Sequence, residues 1–216
     1  MDVEKPFLKV VFCCLFIVFT SLSSFAAIPP RNDKDSTNVN LEKQTYLRNL
    51  IVEEARQYLG LRYRYGGYQP ETGFDCSGFT AYLMGMYSIP LAHSSRVQAQ
   101  LGQEVSLEQV QAGDLIAFRR SRKRAVSHVA MVVDNNEEGL FIIHSTSRGI
   151  VIDNLNDSRY WQPKVYVARD IISEVDLDQA LPDFLEKQKK KIDKMPLLKR
   201  LPVINYASVV SEAGAF

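Results

Sequence analysis

Of the three cysteines and three histidines in this sequence, Cys76, His128 and His144 stand where nucleophilic acyl chemistry could use them. In such chemistry a thiolate attacks a carbonyl carbon and an imidazole takes or holds the thiol proton. A further group orients that imidazole, and backbone N–H groups stabilise the oxyanion. Two other cysteines, Cys13 and Cys14, fall in an N-terminal stretch ordered like a secretory signal. Lys5 and Lys9 precede an apolar run from Val10 to Phe19, and Ser24-Phe25-Ala26-Ala27 supplies small residues for cleavage after Ala26 or Ala27. An uncleaved membrane anchor is the alternative, although the strongly apolar part is shorter than the ~20 residues of a spanning helix. Once the leader is removed, Cys76 is the lone thiol of an exported chain and has no internal disulfide partner. It is then either a buried apolar filler or a reactive group.

Spacing favours the reactive reading. The run Ser77–Tyr87 is helical in character, with Phe79, Leu83, Met86 and Tyr87 on one face, so Cys76 stands at a helix N-terminus. There the dipole and the unpaired N–H groups favour thiolate. His128 and His144 flank a hairpin whose turn lies within Asp134–Gly139. A turn centred near Asn136 sets the two histidines directly opposite on one face, with Cβ atoms about 4.5–5.5 Å apart. A one-residue slip would separate them. His128, at the start of its strand, is assigned as base and His144 as the residue that orients it. His93, in the loop after Pro90, is assigned a structural or rim role.

These residues require an α+β scaffold, helices first and antiparallel strands after. Residues 28–43 read as a flexible linker. A first helix covers Tyr46–Leu59, with Leu47, Leu50, Ile51, Ala55, Tyr58 and Leu59 at helical spacing and Gly60 as its stop. A short third helix covers Ser94–Leu101, capped by Ser94. Strands are expected at Leu115–Arg119, His128–Asp134, Leu140–His144, Ile150–Asp153 and Val165–Asp170. The organisation is therefore a signal peptide at 1–27, a linker at 28–43, a catalytic domain at 44–172 and a Lys-rich helical tail of unknown role at 173–216.

The heptapeptide Gly73-Phe74-Asp75-Cys76-Ser77-Gly78-Phe79 resembles the nucleophile motif of the NlpC family of papain-like cell-wall peptidases. The likeness extends in order from Ile51 to Ile171. Tyr63-Arg64-Tyr65-Gly66-Gly67 is similar to the family's Tyr-x-x-Gly-Gly segment, and Ala112-Gly113-Asp114-Leu115 to its Pro-Gly-Asp-Leu turn. Ser127-His128-Val129-Ala130-Met131 is similar to the catalytic-histidine strand, and Ile143-His144-Ser145 to the strand of the third residue. The resemblance implies a papain-like fold with N-terminal helices on a five- to six-stranded antiparallel sheet. It also implies hydrolysis of peptidoglycan stem peptides between γ-D-glutamate and a diamino acid, usually meso-diaminopimelate, in the manner of small Gram-negative murein endopeptidases. By the same likeness Tyr63 lines the cleft, Asp75 and Ser77 bind polar groups of the substrate, and the Cys76 N–H serves the oxyanion. Ala112 departs from the family's proline, and His93 stands where many relatives carry arginine.

The formal net charge of +1 gives no case for nucleic acid. The basic run Arg119–Arg124 is read as a solvated loop, with attraction of substrate carboxylates or anionic wall polymers as the sharper alternative. Neither a metal nor an organic cofactor is required. The expected partner is the stem peptide, and the expected location is the periplasm or cell envelope, with no stable membrane span after cleavage. Three other readings stay open: a zinc site built from Cys76, His128 and His144, a thiol acyltransferase or amidase on the same scaffold, and a non-catalytic wall-binding protein.

Overall fold

The computed structural model describes residues 33–178, 182, 184–186 and 189–190. The leader at 1–27 and most of the tail therefore lie outside the described residues. Helix α1 (Asp33–Arg56) buries Leu47, Ile51, Val52 and Ala55, the face expected from their spacing. It starts well before Tyr46, so residues 33–43, expected as linker, are helical. No glycine or proline occurs between Arg31 and Arg56, and a helix nucleated on its packed half propagates where nothing breaks it. Gly60 ends the turn after α1 at φ +81° and donates its N–H to Ile150 O at 2.9 Å.

A two-stranded hairpin, β1 (Tyr68–Gln69) with β2 (Gly73–Phe74), leads into helix α2 (Cys76–Met86). Helix α3 (Ser95–Gln98) is shorter than expected, and Ser94 occupies its N-cap position without a side-chain cap bond. Six strands follow: β3 (Gln103–Val105), β4 (Leu115–Arg119), β5 (Val126–Asn136), β6 (Gly139–Thr146), β7 (Gly149–Asn154) and β8 (Val165–Asp170). They form one antiparallel sheet in the order β3-β8-β4-β5-β6-β7. The α+β class and the sheet are as expected. The edge strand β3 and the small hairpin were not anticipated, because two or three residues carry no readable periodicity.

Both sheet faces are buried, which is why the strands read as continuous apolar runs. Val129, Met131 and Val133 of β5 pack toward Ile51, Phe79 and Leu83 of the helices. Ala130 and Val132 join Ile116, Phe118, Ile142 and Leu155 on the other face, with Trp161 against them.

One buried ion cluster locks helix to sheet. Arg48 of α1 is 3% exposed, and its Nη1 donates to Asp114 Oδ1 (2.6 Å) and Ala112 O (3.0 Å). Its Nη2 donates to Asp170 Oδ1 (2.7 Å). Burial pushes the Asp114 carboxyl up, whereas bonds from Ser173 and Arg48 outweigh burial at Asp170 and hold it down. Beyond β8, Leu177 and Phe184 bury against the core, and Phe184 stacks on Tyr87 with ring centroids 4.2 Å apart. At least this part of the tail is docked.

Candidate active site

Cys76 is the first residue of α2 and is 8% exposed. Asp75 precedes it as N-cap in extended conformation, and its Oδ1 accepts from Gly78 N (2.7 Å) and Ser77 Oγ (3.1 Å). Its Oδ2 accepts from Gly66 N (3.0 Å) and meets His93 Nε2 at 2.9 Å. A carboxylate offers about four lone-pair positions, and four partners use them. Asp75 and Ser77, expected to contact substrate, are engaged here in holding the helix that Cys76 begins to the loop before it. His93 takes its expected structural place at the rim.

The motif glycines have a steric reason. A Cβ on Gly78 would lie 2.1 Å from Gly67 O, and one on Gly67 would lie 2.2 Å from Gly73 O. The β1–β2 hairpin and the start of α2 therefore touch backbone to backbone, and Asp75 N donates to Gly67 O at 2.9 Å. On the far side of α2, buried Gln98 accepts from Thr80 Oγ1 (2.7 Å) and donates to Ser77 O (3.0 Å) and Ala92 O (2.8 Å). The helix N-terminus is clamped from both sides.

Burial, and then the charge of Asp75, raise the Cys76 thiol pKa, while the backbone N–H groups of Val129, Ser77 and Cys76 itself pull the other way. Val129 follows His128 directly. His128 is 9% exposed, and its Nε2 lies 3.0 Å from His144 Nδ1. Its ring stacks on Trp161 at 4.3 Å between centroids and 22° between planes. Burial, then the neighbouring His144, lowers its pKa to about 3, so the imidazole is neutral at rest. His144 is fully buried, and its Nε2 lies 3.0 Å from Asp153 Oδ2. Burial lowers its pKa too, against the pull of Asp153. Asp153 also accepts from Arg148 Nη2.

The structure brings His128 and His144 together, but not in direct opposition. Met131 pairs with Ile143 and Val132 with Ile142, so His144 is set against Ala130 and His128 lies one diagonal step away on the same face. The turn sits one and a half residues later than expected, at Asn136↔Gly139. That pairing carried on regularly would place His144 against Met131 and turn His128 to the other face. A bulge at Val133, between the pairs Val132↔Ile142 and Asp134↔Phe141, restores the parity. Ser127 is a second bulge residue, since Phe118 pairs with His128 while Arg119 pairs with Val126.

His128 lines a cleft of about 790 Å³ together with Tyr63, Arg119, Arg120, Arg148 and Trp161. Tyr63 is 40% exposed and lines this cleft, and its phenol pKa is raised by burial and then by the charges of Cys76 and Asp75. Of the basic run, Arg119 and Arg120 reach the cleft wall. Residues that the sequence reading missed are Asp153, Arg148 and Trp161. Asp153 could have been found from the β6–β7 hairpin: with its two-residue turn at Ser147-Arg148, His144 pairs with Val151, and Asp153 is the next residue on that face.

A thiol at a capped helix N-terminus, packed against a sheet that carries a hydrogen-bonded histidine pair on two adjacent antiparallel strands, fits a papain-like cysteine hydrolase scaffold. Residues 60–170 match the NlpC/P60 family, and the chain belongs to that family. It is 34% identical over 128 residues to the γ-DL-glutamyl hydrolase of Bacillus subtilis, a match covering 58% of this chain and 30% of that protein. It is 31% identical over 135 residues to the murein DD-endopeptidase MepS/murein LD-carboxypeptidase of Escherichia coli, covering 62% and 68% of the two chains. Among solved structures, an NlpC/P60 family protein from Bacillus cereus superposes with TM-score 0.51 at 33% identity, covering 56% of this chain and 39% of that one.

Proposed function

We propose that this chain is an exported cysteine peptidase that hydrolyses peptidoglycan stem peptides between γ-D-glutamate and the diamino acid after it, taken as meso-diaminopimelate. The observation that carries this reading is the cleft-lining His128, hydrogen-bonded to His144 and one residue from the N–H that meets the Cys76 sulfur. The names of the relatives, γ-DL-glutamyl hydrolase and murein endopeptidase, supply the substrate class.

Cys76 is the nucleophile, His128 the base and His144 the residue that orients the base. Burial disfavours charge on both Cys76 and His128, so the resting pair is thiol and imidazole. On attack the thiol proton passes to His128 as the sulfur bonds to the carbonyl carbon. The oxyanion is met by backbone N–H groups at the start of α2, including that of Cys76. His128 then returns the proton to the leaving amine, giving an acyl-enzyme. Water, deprotonated by His128, releases the acid and restores the thiol. Tyr63 contacts the bound peptide. Asp75 and Ser77 act through the geometry of the helix start, and the charged wall at Arg119 and Arg120 faces the substrate's carboxylates. Both ring nitrogens of His144 are already engaged, one by His128 and one by Asp153. That argues against His144 as a zinc ligand and for its place in a proton relay.

The names of the two relatives point to different bonds, so product identity decides. The mature protein and its Cys76→Ala variant are incubated with L-Ala-γ-D-Glu-diaminopimelate-D-Ala, and products are read by mass. Release of L-Ala-γ-D-Glu by the parent alone is expected. Loss of terminal D-Ala alone would assign LD-carboxypeptidase action instead, and cleavage by the variant would remove Cys76 from the reaction.

A further inference from the structure

His128 can take a proton toward the nucleophile only if the ring nitrogen not facing His144 is bare. That nitrogen is Nδ1, because Nε2 is the atom 3.0 Å from His144 Nδ1. Which nitrogen carries the proton is set further along the chain of contacts. Asp153 has its carboxyl pKa lowered: bonds from Arg148 and His144 outweigh the opposing effect of burial. It is therefore ionised and can only accept. The nitrogen facing it, His144 Nε2 at 3.0 Å, must be the donor. His144 is fully buried and neutral, so it carries one proton, and its Nδ1 is left as an acceptor. Across the next 3.0 Å gap, His128 Nε2 must donate. His128 is likewise neutral, so its single proton is spent there and Nδ1 is bare.

We propose that Asp153, held by Arg148, is a positioning residue that sets the tautomers of both imidazoles and thereby leaves Nδ1 of His128 free to act as base. The inference rests on the reading of His128 as that base. Arg148 Nη2 and His144 Nε2 converge on the same oxygen, Oδ2, so the guanidinium fixes the acceptor and favours its ionised form. Without Asp153 a second arrangement of equal bond count opens: His144 donates from Nδ1, His128 accepts at Nε2, and the His128 proton moves to Nδ1, where it blocks base action. The same carboxylate also stabilises the pair once His128 has taken the thiol proton, since the added charge is shared along a chain that ends in an anion.

The test compares the mature protein with its Asp153→Ala and Asp153→Glu variants. Imidazole ¹⁵N NMR reads the tautomers, and steady-state cleavage of the tetrapeptide reads the rate. Expected in the parent is His128 protonated on Nε2 with Nδ1 bare. Asp153→Ala should show mixed His128 tautomers and a kcat lower by about 10–100-fold with KM little changed, as for other residues that orient a functional histidine. Glu should restore part of both. A parent His128 protonated on Nδ1 overturns the proposal without recourse to any variant. So does Asp153→Ala with an unchanged tautomer and kcat. A purely structural role would lower melting temperature and leave the tautomer as it is, which also refutes it. His128→Gln and Cys76→Ala controls separate the two levels. If they are inactive while Asp153→Ala is unaffected, only this inference falls; if His128→Gln cleaves like the parent, the reading of His128 as base falls.

Discussion

Acidification from pH 7 to pH 5 should destabilise the fold through His128, and replacing that residue should remove this part of the loss. Its folded pKa is about 3 against an ordinary 6.5, chiefly because the ring is buried beneath Trp161 and beside His144. The folded state therefore resists protonation while the unfolded chain accepts it. The associated stability is fully present above pH 6.5 and is lost as pH falls from there toward 3. Each pH unit inside that window costs about 1.4 kcal/mol. Between pH 7 and pH 5, of which about one and a half units lie inside, the loss from His128 is about 2 kcal/mol. His144 is shifted in the same direction and adds to it. Asp153 and Asp170, whose pKa values are lowered, stay out of the window, since their contributions fade only below the ordinary carboxylate value of 3.8. Asp114, shifted upward, acts with opposite sign as it takes up its proton at acid pH. The assay is urea unfolding at pH 7, 6 and 5 for the parent and for His128→Gln, whose side chain does not titrate there. The parent should lose about 2 kcal/mol more than the variant over that range. Equal pH slopes would mean that His128 takes up its proton as readily in the fold as in the unfolded chain, and the depressed pKa would have to be abandoned.

Arg48→Met should lower stability by about 3–5 kcal/mol, because it leaves Asp114 and Asp170 without their shared cation; an unfolding midpoint within error of the parent would show that the cluster is dispensable. Phe184→Ala should cost about 3 kcal/mol through the lost stack on Tyr87, and truncation before Leu177 should reproduce at least that loss. A tail that only trails would leave the melting temperature unmoved in both.

The place of Cys76 at a helix start was legible because its signals are local: a capping residue, a small polar residue and an apolar helical period lie close to it in the sequence. Strands β4 and β8 were readable to the residue, since continuous apolar runs end at charged or turn residues. The bonds of Asp75 to Gly66, Ser77, Gly78 and His93 were not legible, since no sequence pattern shows how a carboxylate's lone pairs are used. The Arg48 cluster joins residues 66 and 122 positions apart, beyond any local period. The histidine pair falls between these cases. Its partners and shared face were expected for the wrong reason, since regular pairing from a turn at Asn136 would oppose them directly, whereas the turn falls at Glu137-Glu138. With that turn, an unbulged hairpin would point the two rings to opposite faces of the sheet. The extra residue at Val133 is thus what makes a relay possible, and it sits in a run, Val129–Asp134, where nothing in the residue types distinguishes a bulge from a regular strand. Deleting Val133 should separate the histidines and abolish the relay while leaving both of them in the chain.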